Sequence, residues 1–133
     1  MEEALRRWVR ERALYRCEYC QLHATQSVLP FQIDHVIPLK HGGVTEAGNL
    51  ALSCFYCNSY KGSNLSGIDP QTSQVVRLFH PRSDLWTDHF GWAGAQISGL
   101  SPTGRATARV LNINHPDAIA IRRSLIGEGV FPP

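Results

Sequence analysis

Four cysteines, Cys17, Cys20, Cys54 and Cys57, fall in two Cys-x-x-Cys pairs with none left over. Each short turn can aim two thiolates at one ion, so two such pairs supply the corners of a tetrahedral zinc site. A reducing compartment disfavours disulfides, which leaves a metal as the reason for the spacing. Four thiolates fill the coordination sphere of a zinc ion, so this zinc is expected to staple the fold rather than catalyse. His23, just past the first knuckle, is not needed as a ligand. The fold must therefore bring residues 17–20 to residues 54–57. Residues 21–53 lie between them, more than the roughly 15–20 residues of a simple zinc ribbon, so further structure is inserted between the knuckles.

A chain of 133 residues leaves room for one domain, expected to span residues 1–133. Hydrophobic residues make up 43% and charged residues 18%, enough for a core and unlike a disordered, collagenous or coiled-coil chain. No apolar run approaches the roughly 18 residues of a membrane span, and the opening MEEALRRWVR lacks the apolar region of a signal peptide. The expectation is a soluble, cytoplasmic protein without a membrane partner. Net charge is only +2, but 11 of the 13 basic residues are arginine, several of them clustered at Arg6, Arg7, Arg10, Arg12 and Arg16. The planar arginine fork suits phosphate, so composition permits a nucleic-acid partner without requiring one.

The apolar positions Leu5, Trp8 and Val9 predict a helix over 3–15, its face interrupted by Arg12. A strand is expected at 31–36, a turn at Gly42-Gly43, and a return toward the second knuckle, which opens a helix ending near Gly62. Past a loop that starts at Ser63, strands are expected at 75–79 and 95–100. Ser101-Pro102 reads as a helix start running to about Leu111, and Asn114-His115-Pro116 as another that Gly127 stops.

Between the knuckles stands Ile33-Asp34-His35-Val36-Ile37-Pro38, followed by Gly42-Gly43 and Asn49-Leu50. Asn58 comes directly after the last cysteine, and Lys61 one helical turn later. Asp34-His35, Asn49 and Asn58, framed by the cysteine pairs, resemble the HNH family of nucleases over about Cys17 to Lys61, a third of the chain. The resemblance implies an α+β fold. Its ββα-metal core, residues 17–61, would be stapled by the four-cysteine zinc site, with an N-terminal helix before it and a strand-and-helix extension, residues 63–133, packed on it. It also implies a metal-dependent endonuclease that hydrolyses phosphodiester bonds in DNA, with RNA left open. Such hydrolysis needs a base to generate hydroxide and a cation to offset charge on the phosphoryl group and leaving oxygen. On the family pattern His35 is the base, and Asp34 and Asn58 hold one catalytic metal. Asn49 fixes the loop that carries His35 and orients its ring. The last position is asparagine rather than histidine, a variant found in the family, and the two oxygen ligands then point to Mg2+ or Mn2+. Neighbours on a strand point to opposite faces, so Asp34 and His35 can share a site only if the strand ends or twists there. The alternative is a zinc-stabilised module that binds nucleic acid without cutting.

Lys61 reads either as a phosphate contact or as a surface lysine at a helix end. The pieces Trp86-x-x-His89-Phe90-x-Trp92 and Gly104-Arg105-Ala106-Thr107 resemble the extension of small stand-alone bacterial HNH proteins. There the aromatics read as core rather than base-stacking platforms. His89 reads equally as a polar group aimed at the cleft, where it would bind nucleic acid, and as a buried hydrogen-bonded histidine. Arg82, with Arg105 and Arg109, is a candidate extension of a phosphate-binding surface, although Arg105 and Arg109, four residues apart, also fit the wet face of a helix.

Overall fold

In the computed structural model, which describes residues Met1–Pro133, helix α1 (Glu3–Arg12) buries Val9 and turns Leu5 and Ala13 onto Leu50 and Leu52. The Arg12 guanidinium, on the same helix, donates to the carbonyls of Ala47 (2.9 Å) and Leu50 (2.7 Å), so the charge in the apolar stripe fastens the helix to the chain it covers. The helix stops three residues short of the expected end. Leu14 and Tyr15 take left-handed φ of 54° and 58°, and the Tyr15 N–H reaches back to the Arg10 carbonyl, turning the chain into the first knuckle. Two non-glycine residues in that region are a local cost that the sequence pattern does not announce.

Strand β1 (Gln32–His35) pairs antiparallel with β2 (Leu50–Ser53), setting Asp34 opposite Ala51 and His35 opposite Leu50. The strand is two residues shorter than the expected 31–36 and ends at His35. All four residues of β2 are buried. Helix α2 (Phe55–Lys61) starts directly after Cys54, whose sulfur accepts the Cys57 N–H as an N-cap, and gives way to Gly62 at φ 51°. The order β1, β2, α2 is ββα. These elements belong to one compact unit, Met1–Leu65 with His80–Asp84.

The other unit comprises Ser66–Phe79 and Leu85–Pro133. Its first hairpin, β3 (Ser66–Ile68) with β4 (Val75–Arg77), stands partly where a loop was expected. Asp69 closes its turn, accepting from the Gln71 N–H and the Thr72 hydroxyl, and forms a two-pronged pair with Arg105 at 2.8 and 2.9 Å. This salt bridge holds the carboxyl far below the usual range. A second hairpin joins β5 (Phe90–Ala93) to β6 (Gln96–Gly99), after the short helix α3 (Trp86–His89). Helices α4 (Pro102–Val110) and α5 (Pro116–Gly127) follow the expected caps: Ser101 Oγ accepts the Gly104 N–H, and His115 Nδ1 the Asp117 N–H. Phe79, Phe90, Trp86, Trp92 and Phe131 form a chain of ring contacts with centroids 5.0–5.2 Å apart. The rings pack on one another, as core aromatics do. Five helices and three two-stranded sheets make the fold α+β. No helix is long and apolar enough to cross a membrane.

Candidate metal centre and hydrolytic site

The four cysteine sulfurs lie within 4.8 Å of one another and all four residues are buried. Cys20 and Cys54 sulfurs are 3.8 Å apart, and zinc–sulfur bonds of about 2.3 Å at tetrahedral angles require about 3.8 Å. In each knuckle the second cysteine's N–H points at the first cysteine's sulfur, at 3.5 Å for Cys20 and 3.4 Å for Cys57. The cysteines are thus positioned to form a zinc site. Burial resists charge on Cys17, yet hydrogen bonds from the other three thiols draw it well down. Cys20 and Cys57 are pushed well up, first through their bonds to Cys17. A divalent ion held by these sulfurs would displace their thiol protons.

Glu18, inside the first knuckle, ties that loop to β2: its carboxylate accepts the Leu52 N–H at 2.8 Å, and its own N–H donates to the Leu52 carbonyl. Arg82 forms an ion pair with the same carboxylate. Burial, and secondarily the neighbouring Arg12, pull the Arg82 guanidinium down to about 10.

Asp34 points inward from β1 and is 4% exposed. The Tyr19 hydroxyl donates to its Oδ2 at 2.7 Å, and the Lys61 ammonium lies 3.2 Å from Oδ1 and 3.1 Å from Oδ2. Lys61 is 1% exposed, so this lysine of α2 is interior rather than a surface charge at the helix end. Burial pushes the Asp34 carboxyl up against the downward pull of Lys61 and the Tyr19 bond, and burial with the Asp34 charge pushes the Tyr19 phenol well up. Removing one partner of such a buried pair costs about 3–5 kcal/mol.

His35 closes β1 on the other face, half-buried, with Nε2 2.8 Å from the exposed Thr45 hydroxyl. Its carbonyl accepts from Lys61 at 3.3 Å, so one ammonium holds both the Asp34 carboxylate and the His35 backbone. Asn49 is buried and clamps the loop after His35: its Oδ1 accepts the Ile37 N–H, and its amide donates to the carbonyls of Ile37 and Val44, each at 2.9 Å. That loop is drawn tight at Gly43, where a Cβ would stand 1.7 Å from the Ile37 carbonyl oxygen, beside Gly42 at φ 85°. Asn58 is half-buried on α2, one turn before Lys61. In the other unit His89 Nδ1 lies 2.6 Å from the Ser101 hydroxyl, its ring edge-on to Phe79.

Two participants escaped the sequence pattern. Tyr19 occupies an interior position of a Cys-x-x-Cys turn, where any residue satisfies the motif. Thr45 lies ten residues from the histidine it meets, in a loop without periodicity.

Residues 17–64 match the family described as HNH endonuclease. No curated protein and no solved structure matches the chain.

Proposed function

From the HNH endonuclease match as premise, we propose that this chain is a metal-dependent nuclease hydrolysing phosphodiester bonds in DNA. In this reading His35 is the general base, and Asp34 and Asn58 hold one Mg2+ or Mn2+. The observation that carries it is that one Lys61 ammonium bridges the Asp34 carboxylate and the backbone carbonyl of His35 where β1 ends against α2, the helix that also bears Asn58. The donor chemistry fits: a carboxylate and an amide oxygen are hard ligands that suit these ions and leave positions for water and phosphate. Bound there, the ion would offset charge on the phosphoryl group and leaving oxygen.

The chain's own residues supply the rest. His35 Nε2 lies 2.8 Å from the Thr45 hydroxyl; as a base the ring would donate Nε2–H there, keep its Nδ1 lone pair and take the proton of the attacking water. Asn49 acts at a distance as a positioning residue, fixing the backbone of Ile37 and Val44 on either side of the Gly42-Gly43 turn. The zinc cluster fastens the first knuckle to the start of α2. Lys61, Arg82 and His89 remain candidates for nucleic-acid contact in this reading, Lys61 from inside the site, Arg82 beside the first knuckle, His89 from the second unit.

A second reading is a zinc-stabilised module that binds nucleic acid without cutting, and one observation favours it: both Asp34 oxygens already have partners. Supercoiled plasmid and a single-stranded RNA, each incubated with Mg2+ and then with chelator, separate the two. The nuclease gives metal-dependent nicked or linear DNA, and His35→Ala slows it by about 10²–10⁴ while zinc content and DNA affinity persist. Retarded but intact nucleic acid under every metal would establish the second reading.

A further inference from the structure

Lys61 places a positive charge on the carboxylate that the proposed function gives to the metal. A carboxylate offers about four lone-pair sites, and three contacts occupy most of them: Lys61 on each oxygen and Tyr19 on Oδ2. Asp34 and Lys61 together are neutral and buried. A divalent ion added beside them would bring two uncompensated charges into an interior where screening is weak, and would stand within a few ångströms of an ammonium. With the ammonium gone, ion and carboxylate carry one net positive charge, which one phosphodiester anion balances.

We propose that Lys61 is a resident counter-ion of the site, a cation that a divalent metal must displace from Asp34, so that metal loading is weak until substrate phosphate arrives to balance the charge. The inference rests on reading Asp34 as a metal ligand. The geometry allows the exchange. Lys61 is the last residue of α2, four methylenes carry its ammonium, and the chain beyond it passes through Gly62 into exposed residues. The exchange would also be felt at His35, whose carbonyl loses the Lys61 donor. Until then the metal competes with a tethered cation, and its apparent affinity falls by the fraction of molecules in which Asp34 is free.

The sequence holds two lysines, Lys40 and Lys61, and Lys40 is exposed, so amine labelling contains its own reference. Reductive methylation of the zinc-loaded protein, read by peptide mass spectrometry, should modify Lys40 and spare Lys61. Millimolar Mg2+ should raise Lys61 labelling relative to Lys40, and more so with a phosphorothioate oligonucleotide present. Mn2+ binding by electron paramagnetic resonance should tighten about tenfold or more in Lys61→Met. Mn2+ binding that Asp34→Asn abolishes, with Lys61 still protected in the parent, would overturn the counter-ion role and leave the nuclease reading standing. Absence of Asp34-dependent Mn2+ binding, in both the parent and Lys61→Met with oligonucleotide present, would remove Asp34 as a ligand and the counter-ion role with it. If Lys61→Met does not fold, labelling of the parent decides the matter alone.

Discussion

Replacement of Asn49 tests how the loop after His35 is held. Its side chain makes three hydrogen bonds of 2.9 Å, all to backbone groups of Ile37 and Val44, and only 8% of the residue is exposed. A net 0.5–1.5 kcal/mol for each bond gives about 1.5–4.5 kcal/mol lost in Asn49→Ala. Asn49→Asp is the sharper variant. It keeps an acceptor for the Ile37 N–H but sets a carboxylate oxygen against the Ile37 and Val44 carbonyls, so it should cost at least as much as alanine. Denaturant titration at saturating zinc reads the global loss. Hydrogen exchange at the Ile37 amide reads the local one, with protection expected to fall about 10- to 1,600-fold if the loop opens by itself, at 1.4 kcal/mol per tenfold. An alanine variant within 0.5 kcal/mol of the parent, about the scatter of ordinary surface substitutions, or an aspartate variant clearly more stable than the alanine one, would refute the clamp.

Metal analysis should return one zinc per chain, and strong chelation should melt β1, β2 and α2. Well-folded protein with almost no zinc would contradict this. Under the proposed function, Asn58→Ala should lose activity that high Mg2+ partly restores, and Asn58→His should shift preference toward Ni2+ or Co2+; a parent idle in Mg2+ and active with zinc would show the oxygen ligands to be misassigned. Asp69 gives an acid-dependence. Its pairing with Arg105 depresses the carboxyl, so its stabilisation is complete above the unfolded value of about 3.9 and is lost as pH falls through the lower folded value. Asp69→Asn should be less stable than the parent at pH 7 and lose less stability on acidification below pH 4, as followed by thermal melts.

What could be read from the sequence was local chemistry. Ser101-Pro102 and His115-Pro116 start helices because the cap and the first-turn proline act within three residues. The cysteine pairs declare their cluster because metal geometry dictates the spacing. The end of α1 is not legible in the sequence because Leu14 and Tyr15, neither of them glycine, adopt left-handed backbone. Strand β3 looks like loop in one dimension because three residues carry no periodicity, and Asp69 closes its turn with help from Arg105, 36 residues away. In the candidate site, the cysteine frame and the Asp34-His35 pair stand out in one dimension. The partners of Asp34 do not: Tyr19 and Lys61 lie 15 and 27 residues from it. For Lys61 the sequence leaves a phosphate contact and a surface charge equally open, because burial of its ammonium depends on a carboxylate in another element.

The ring chain in the second unit gives the protein an optical reporter separable from one at the cysteine cluster of the first. Trp86 and Trp92 stand 5.0 Å apart with their planes tilted by 35°, close enough for their electronic transitions to couple and give a paired circular-dichroism band of opposite signs. Trp8, 53% exposed on α1, has no such neighbour and should fluoresce at the red edge typical of wetted indole. Cobalt in place of zinc would add a thiolate charge-transfer band at the cysteine cluster. The cobalt band then reports on residues 1–65 and the coupled band on the segment that begins at Leu85, so each unit can be watched unfolding in the intact chain, while Trp8 emits as wetted indole throughout.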